Sequence, residues 1–120
     1  MIISNLEGGP GSVINSFPPN TDPKSTSSYA HRDVGYVLQL YAFTPNSKPP
    51  FDSKIISFVK GMVTSLGPEA ANLPAYAPYT DPELSKAEAH IRYWGGGVKR
   101  LEAIKKDVDP KGILYNPQGF

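Results

Sequence analysis

Cysteine is absent from these 120 residues. That excludes disulfide staples, thiolate metal sites and a cysteine nucleophile. Histidine is scarce, and His31 and His90 stand too far apart for a local metal motif. An excess of one charge is missing too. Twelve Lys and Arg stand against eleven Asp and Glu, net +1, with the basic residues spread along the chain. Nucleic-acid binders carry a basic stripe, so no nucleic-acid partner is expected. No apolar run approaches the ~20 residues of a membrane span. The first residues, "MIISNLEGGP", hold no apolar stretch of signal-peptide length. The expectation is a cytoplasmic chain with no membrane partner.

What is present suits one small domain. Apolar residues make up 39% and aromatics 11%, enough for a modest core. Eleven glycines and thirteen prolines, a fifth of the chain, imply many turns and short elements. The sequence reads as a single domain over 1–120, strand-rich in 1–45, with a helix at 52–66 and a C-terminal helix and tail at 86–120.

"MIISNLEG" is β-branched at its start and reads as a strand beginning almost at Met1. "SVINSF" reads as a second short strand, closed by Pro18-Pro19. Residues 18–28, polar and Pro-rich, read as an exposed loop. "DVGYVLQLYAF", 33–43, is the clearest strand. Its even positions are apolar or aromatic and should meet the core, while Val37, Gln39 and Tyr41 form a semi-polar odd face.

Asp52 or Ser53 caps a helix whose apolar stripe runs through Ile55, Ile56, Val59, Met62, Val63 and Leu66. Gly67 and Pro68 end it. "SKAE" at 85–88 has capping-box form and starts another helix. After the glycines at 95–97, Leu101, Ile104 and Val108 keep helical spacing. "DPKG" at 109–112 has type I turn chemistry, and "ILYNPQGF" closes the chain as a short strand or extended tail. The architecture expected is α+β: a small antiparallel sheet with helices packed on one face. Few strands leave open edges, which a second copy of the chain would cover.

The triplet Gly95-Gly96-Gly97 raises the question of a phosphate loop. Such a loop needs a strand before it and a helix after it. Here "AEAHIRYW" before the glycines is helical in pattern, and the spacing fits neither nucleotide fingerprint. The simpler reading is a helix break that turns Tyr93 and Trp94 into the core.

Other candidates each carry two readings. His31, between Ala30 and Arg32, is a general base or anion-site residue, or makes local hydrogen bonds. Gln39 orients a ligand through its amide, or faces solvent. Tyr76 and Tyr79, held among Ala and Pro, present phenols to a pocket, or pack as amphipathic side chains.

The segment "YWGGGVKRLEAIKKDVDPKGILYNPQ" resembles the C-terminal signature of berberine bridge enzyme-like flavin oxidases. Tyr93, Gly95, Arg100, Leu101, Ile104, Lys105, Asp109, Pro110 and Gln118 fall in its register. "SSYAHRDVGYVLQLYAF" is similar to the family's His-Arg and Gln strand, through His31, Arg32 and Gln39. "AYAPYTDPELS" is similar to its Tyr-x-Asp segment, through Tyr79 and Asp81. In this chain Gly97 stands where the family carries Asn, Val98 where it carries an aromatic, and Ala30 where it carries Pro.

The resemblance implies the last part of a substrate domain of the vanillyl-alcohol-oxidase type, without the FAD-binding domain. It places Gln39 and Tyr79 in an active site, as the catalytic pair, with Tyr79 as the proton acceptor. Tyr41, Val37, Tyr76 and His31 are then candidate substrate contacts. FAD is the family's cofactor, and none is expected for this chain alone, nor a metal. The expected ligand is a small organic molecule, in secondary metabolism, and the expected partner is a second copy or a flavoprotein. The alternative is a free-standing, cofactor-independent isomerase, cyclase or small-molecule-binding module.

Overall fold

A computed structural model describes residues 2–120, with Asn5 described through its backbone alone. The chain is α+β. Strand β1 (Ile2–Leu6) pairs antiparallel with β2 (Tyr36–Leu40), Ile2 opposite Leu40 and Leu6 opposite Tyr36. Beyond the strands the ladder runs on loosely, with Glu7 N–H donating to Gly35 O and Gly9 N–H to Val34 O. Met1, where the sequence reading began the first strand, lies outside the described residues. The second strand is five residues rather than the eleven of 33–43, because β1 offers it only five partners.

Three α-helices follow: α1 (Ser53–Ser65), α2 (Lys86–Trp94) and α3 (Val98–Val108). Asp52 caps α1, its carboxylate accepting from Lys54 N–H at 2.8 Å. Gly67, at φ 121°, takes the left-handed turn that ends it. At α2 the capping box forms completely: Ser85 Oγ accepts from Glu88 N–H, and Glu88 accepts from Ser85 N–H at 2.9 Å. The turn at 109–112 closes through Gly112 N–H to Asp109 O, 3.0 Å.

Two local expectations are corrected. "SVINSF" forms a single 3₁₀ turn, Ile14–Ser16, not a strand. Ser16 Oγ donates to Val13 O, and Asn15 donates to the Asp33 carboxylate and accepts from Gly11 N–H. These side-chain bonds give the backbone a local alternative to strand pairing. Nor is residues 18–28 a wholly exposed loop, since Asn20 and Ser25 are among the most buried residues, 5% and 4% exposed. Asn20 Nδ2 donates to Trp94 O (2.8 Å) and Ser28 O (3.1 Å). Arg100 reaches back from α3 to Ser25 O at 2.9 Å. A polar loop is buried here because its polar atoms are satisfied.

The core is small and centred on α2. Ala89 and Tyr93 are its buried apolar residues, with Ala70 beside α1, and His90 and Asp109 are buried with them. Trp94, half-buried, stands edge-on to Tyr93 at 6.5 Å. Neither face of β2 is buried, contrary to the expected apolar inner face: Tyr36 is 60% exposed while Leu38 and Gln39 are both half-buried. Ile55, Ile56, Val59, Met62 and Val63 of the α1 stripe are half-buried and none is fully covered, while Leu66, expected to continue the stripe, is exposed.

The radius of gyration is 16.3 Å, and the extents are 44 × 41 × 24 Å. A compact domain of this length has a radius of about 14 Å. The molecule is a thin slab with much apolar surface in the open: Phe58, Ile91, Val108, Ile113, Leu114 and Tyr115 are each more than two-thirds exposed. Among the described residues no helix is long and apolar enough to cross a membrane.

Candidate functional site

The Pro-rich run between α1 and α2 passes the end of α2 and is pinned there. Arg92 Nε donates to Leu73 O at 2.9 Å, and Ala75 N–H donates to Arg92 O at 3.0 Å. Next to this anchor a turn closes from Tyr79 N–H to Tyr76 O, 2.8 Å. The turn holds Tyr76 and Tyr79 at right angles, ring centroids 5.1 Å apart.

Tyr29 extends the arrangement. Its ring meets Tyr76 edge-on at 6.0 Å and His31 edge-on at 5.7 Å. Edge-to-face packing of this kind fixes ring orientation as well as burying area. His31 Nε2 lies 3.1 Å from Ala75 O. A carbonyl only accepts, so the ring proton sits on Nε2. The bond spans 44 positions, whereas a local partner was one of the readings of this residue. His31, Tyr76 and Tyr79 are thus brought together, through Tyr29.

Val37 and Gln39 share one face of β2, with Gln39 directly opposite Ile3, and Tyr41 follows the strand. Tyr41 meets Phe43 at 6.1 Å. Gln39 and Val37 are half-buried, and Tyr41 is 44% exposed.

Sequence reasoning did not single out Tyr29 or Trp94 as site residues. They wall a depression of about 190 Å³ with Ser28, Tyr76, Pro78 and Tyr93. The one available signal for Tyr29 was an aromatic two residues before His31. The hydroxyl of Tyr29 is buried without a hydrogen-bond partner, and burial holds its pKa above the ordinary 10.0, with Glu7 and Tyr76 adding to the rise and Arg32 opposing it. Below the floor Tyr93 Oη accepts from Asp81 N–H at 2.9 Å. Gln118 Nε2 donates to Asp81 O (2.7 Å) and Leu84 O (2.8 Å), so the C-terminal tail braces the segment that carries Tyr79.

The glycine triplet does not form a phosphate loop for a dinucleotide. A dinucleotide needs a cleft of several hundred Å³ and backbone N–H groups aimed at its pyrophosphate. The glycine triplet is instead a 3₁₀ turn between two helices, with Gly97 buried against Asn20.

A family model described as "Berberine and berberine like" matches residues 75–120. The chain is 34% identical over 119 residues to a xylooligosaccharide oxidase of Thermothelomyces thermophilus, covering 98% of this chain and 23% of that protein. It is 31% identical to a chitooligosaccharide oxidase of Gibberella zeae, covering 97% and 23%. An FAD-linked oxidoreductase of Metarhizium anisopliae is 34% identical over 116 residues, covering 94% and 21%. The chain therefore spans less than a quarter of the length of these curated relatives. No solved structure matches it significantly.

Proposed function

The chain belongs to the berberine and berberine-like family of FAD-linked oxidoreductases, and we propose that it forms the substrate-side part of an enzyme that oxidises an oligosaccharide. The observation that carries this reading is the aromatic-walled depression of Tyr29, Tyr76 and Trp94, beside the Tyr76–Tyr79 pair. Sugar rings offer C–H faces to aromatic rings and hydroxyls to polar tips, and tyrosine supplies both. The unpartnered Tyr29 hydroxyl carries a cost that a hydroxylated ligand seated there would relieve. The relatives named as oligosaccharide oxidases favour this substrate class over the wider one of secondary metabolites.

In this proposal Tyr79 accepts the proton of the reacting hydroxyl, and Gln39 holds a second substrate hydroxyl through its amide. Val37, Tyr41 and His31 border the substrate. The two-electron step lies outside what these residues do and belongs to a flavin-bearing portion. The exposed apolar side chains Phe58, Val108 and Leu114 support a partner surface, filled by such a portion or by a second copy. The cofactor-independent isomerase or cyclase draws support only from Tyr79 and Gln39, which the oxidase reading already uses.

Trp94, the single tryptophan, walls the depression and makes its own probe. Titration with xylo- and chito-oligosaccharides should give a saturable change in tryptophan emission. A flat response to every oligosaccharide contradicts the proposal.

A further inference from the structure

A second depression, of about 210 Å³, shares Ser27 with the first. Its lining brings apolar Ile14, Phe17 and Pro18 together with cationic Lys24 and Arg32. Apart from the contact of Arg32 with the Tyr29 ring, its lining is distinct from the Tyr76–Tyr79 pair.

Arg32 is underused. A guanidinium carries five N–H donors. The structure gives it one long bond, Nη2 to Pro18 O at 3.4 Å, and a position with Cζ 5.8 Å from the centroid of the Tyr29 ring. Its Nε is buried without an acceptor. Among the described residues the ion pairs are Lys60–Glu83 and Lys105–Asp109, so neither Lys24 nor Arg32 meets a carboxylate. The acids nearest in sequence are engaged elsewhere: Asp22 accepts from Lys24 N–H at 2.8 Å, and Asp33, next to Arg32, accepts from Asn15 Nδ2. The wall itself is firm: Ser25 is buried, and its single hydroxyl proton has Ser27 O (3.0 Å) and Pro18 O (3.3 Å) as alternative acceptors.

We propose that this depression binds the carboxylate of a small organic acid with an apolar body. The guanidinium fork of Arg32 takes the carboxylate by paired N–H bonds, the geometry that guanidinium and carboxylate share. Lys24, more exposed, adds a point charge at the rim. Phe17, Pro18 and Ile14 cover the hydrocarbon body, for which a single ring is the matching size. This site stands apart from the oligosaccharide reading and neither supports nor needs it.

The test is calorimetric titration of the 120-residue chain with sodium benzoate and, as neutral twin, benzamide, at low ionic strength. Benzoate should bind saturably and benzamide at least roughly tenfold more weakly, the ratio expected when a charged hydrogen bond is lost. Arg32→Gln should weaken benzoate by a similar factor. Arg32→Lys, which keeps the charge and loses the fork, should fall between the two. Far-ultraviolet circular dichroism reports whether each variant keeps its helices, and the Arg32→Lys comparison carries the test if Arg32→Gln does not. Absence of benzoate binding, equal binding of benzamide, or benzoate affinity unchanged in a folded Arg32 variant would each overturn the proposal.

Discussion

The Asn20 side chain lies where any side chain on Gly97 would have to go: a Cβ at Gly97 would sit 2.3 Å from Asn20 Nδ2. The amide that fills this space also ties Trp94 O to Ser28 O. The glycine at the position where the family resemblance places Asn therefore has a physical reason in this chain. A side-chain amide does reach this junction, and it arrives from residue 20.

Gly97→Ala should lower stability by about 1–3 kcal/mol, the usual cost of overpacking a filled site. Asn20→Ala should cost about 1–3 kcal/mol, since it leaves two carbonyls without their donor. Because the two side chains compete for one space, the double variant should be less destabilised than the sum of the singles. Urea midpoints for the four proteins measure the coupling, and strict additivity would refute the clash.

The tail depends on Asp109. Its carboxylate accepts from Lys105 Nζ and from the N–H groups of Leu114 (2.9 Å) and Ile113 (2.8 Å). The Lys105 bond first, then the Leu114 N–H, hold its pKa down at about 2, below the ordinary 3.8. A lowered folded pKa means the charged form is the stabilising one. Its contribution is present above pH ~4 and is lost as the pH falls through about 2. Asp109→Asn should flatten this part of the acid limb, read from urea midpoints between pH 5 and 2.

Ser85→Ala removes one half of the α2 capping box and should cost about 1 kcal/mol. The Glu88 carboxyl, held below its ordinary pKa chiefly by the Ser85 hydroxyl, should return toward 4.5 in that variant. Side-chain NMR titration of Glu88 measures this directly.

Such caps explain which parts of the fold were legible. Asp52 and Gly67 around α1, "SKAE" before α2, and "DPKG" after α3 act within one turn of chain, and each landed within a residue or two. The "SVINSF" stretch was misread because Ser16 and Asn15 spend their side chains on nearby backbone, which a β-branched pattern does not reveal. Buried Asn20 and Ser25 were illegible for another reason. Their partners, Trp94 and Arg100, are more than seventy residues away, and polar loop composition speaks for exposure. At the site, the spacing of Tyr76 and Tyr79 was readable. Tyr29 and Trp94 joined them only through tertiary packing.

Within the depression the rings should divide their work. Tyr76→Ala removes a wall and the ring between Tyr29 and Tyr79, and should weaken oligosaccharide binding roughly tenfold. Tyr79→Phe keeps the ring and removes the proton acceptor, so binding should hold within about twofold. Calorimetric titration of both variants separates wall from acceptor, and equal losses would place Tyr79 Oη in binding alone.

Most direct is an amide-resolved NMR titration of the chain with xylotriose and chitotriose. The oligosaccharide reading predicts saturable shifts concentrated at Ser28, Tyr29, Tyr76, Tyr79 and Trp94, with the α1 amides unmoved. No saturable shift with either sugar, or shifts confined to a different face, would contradict it.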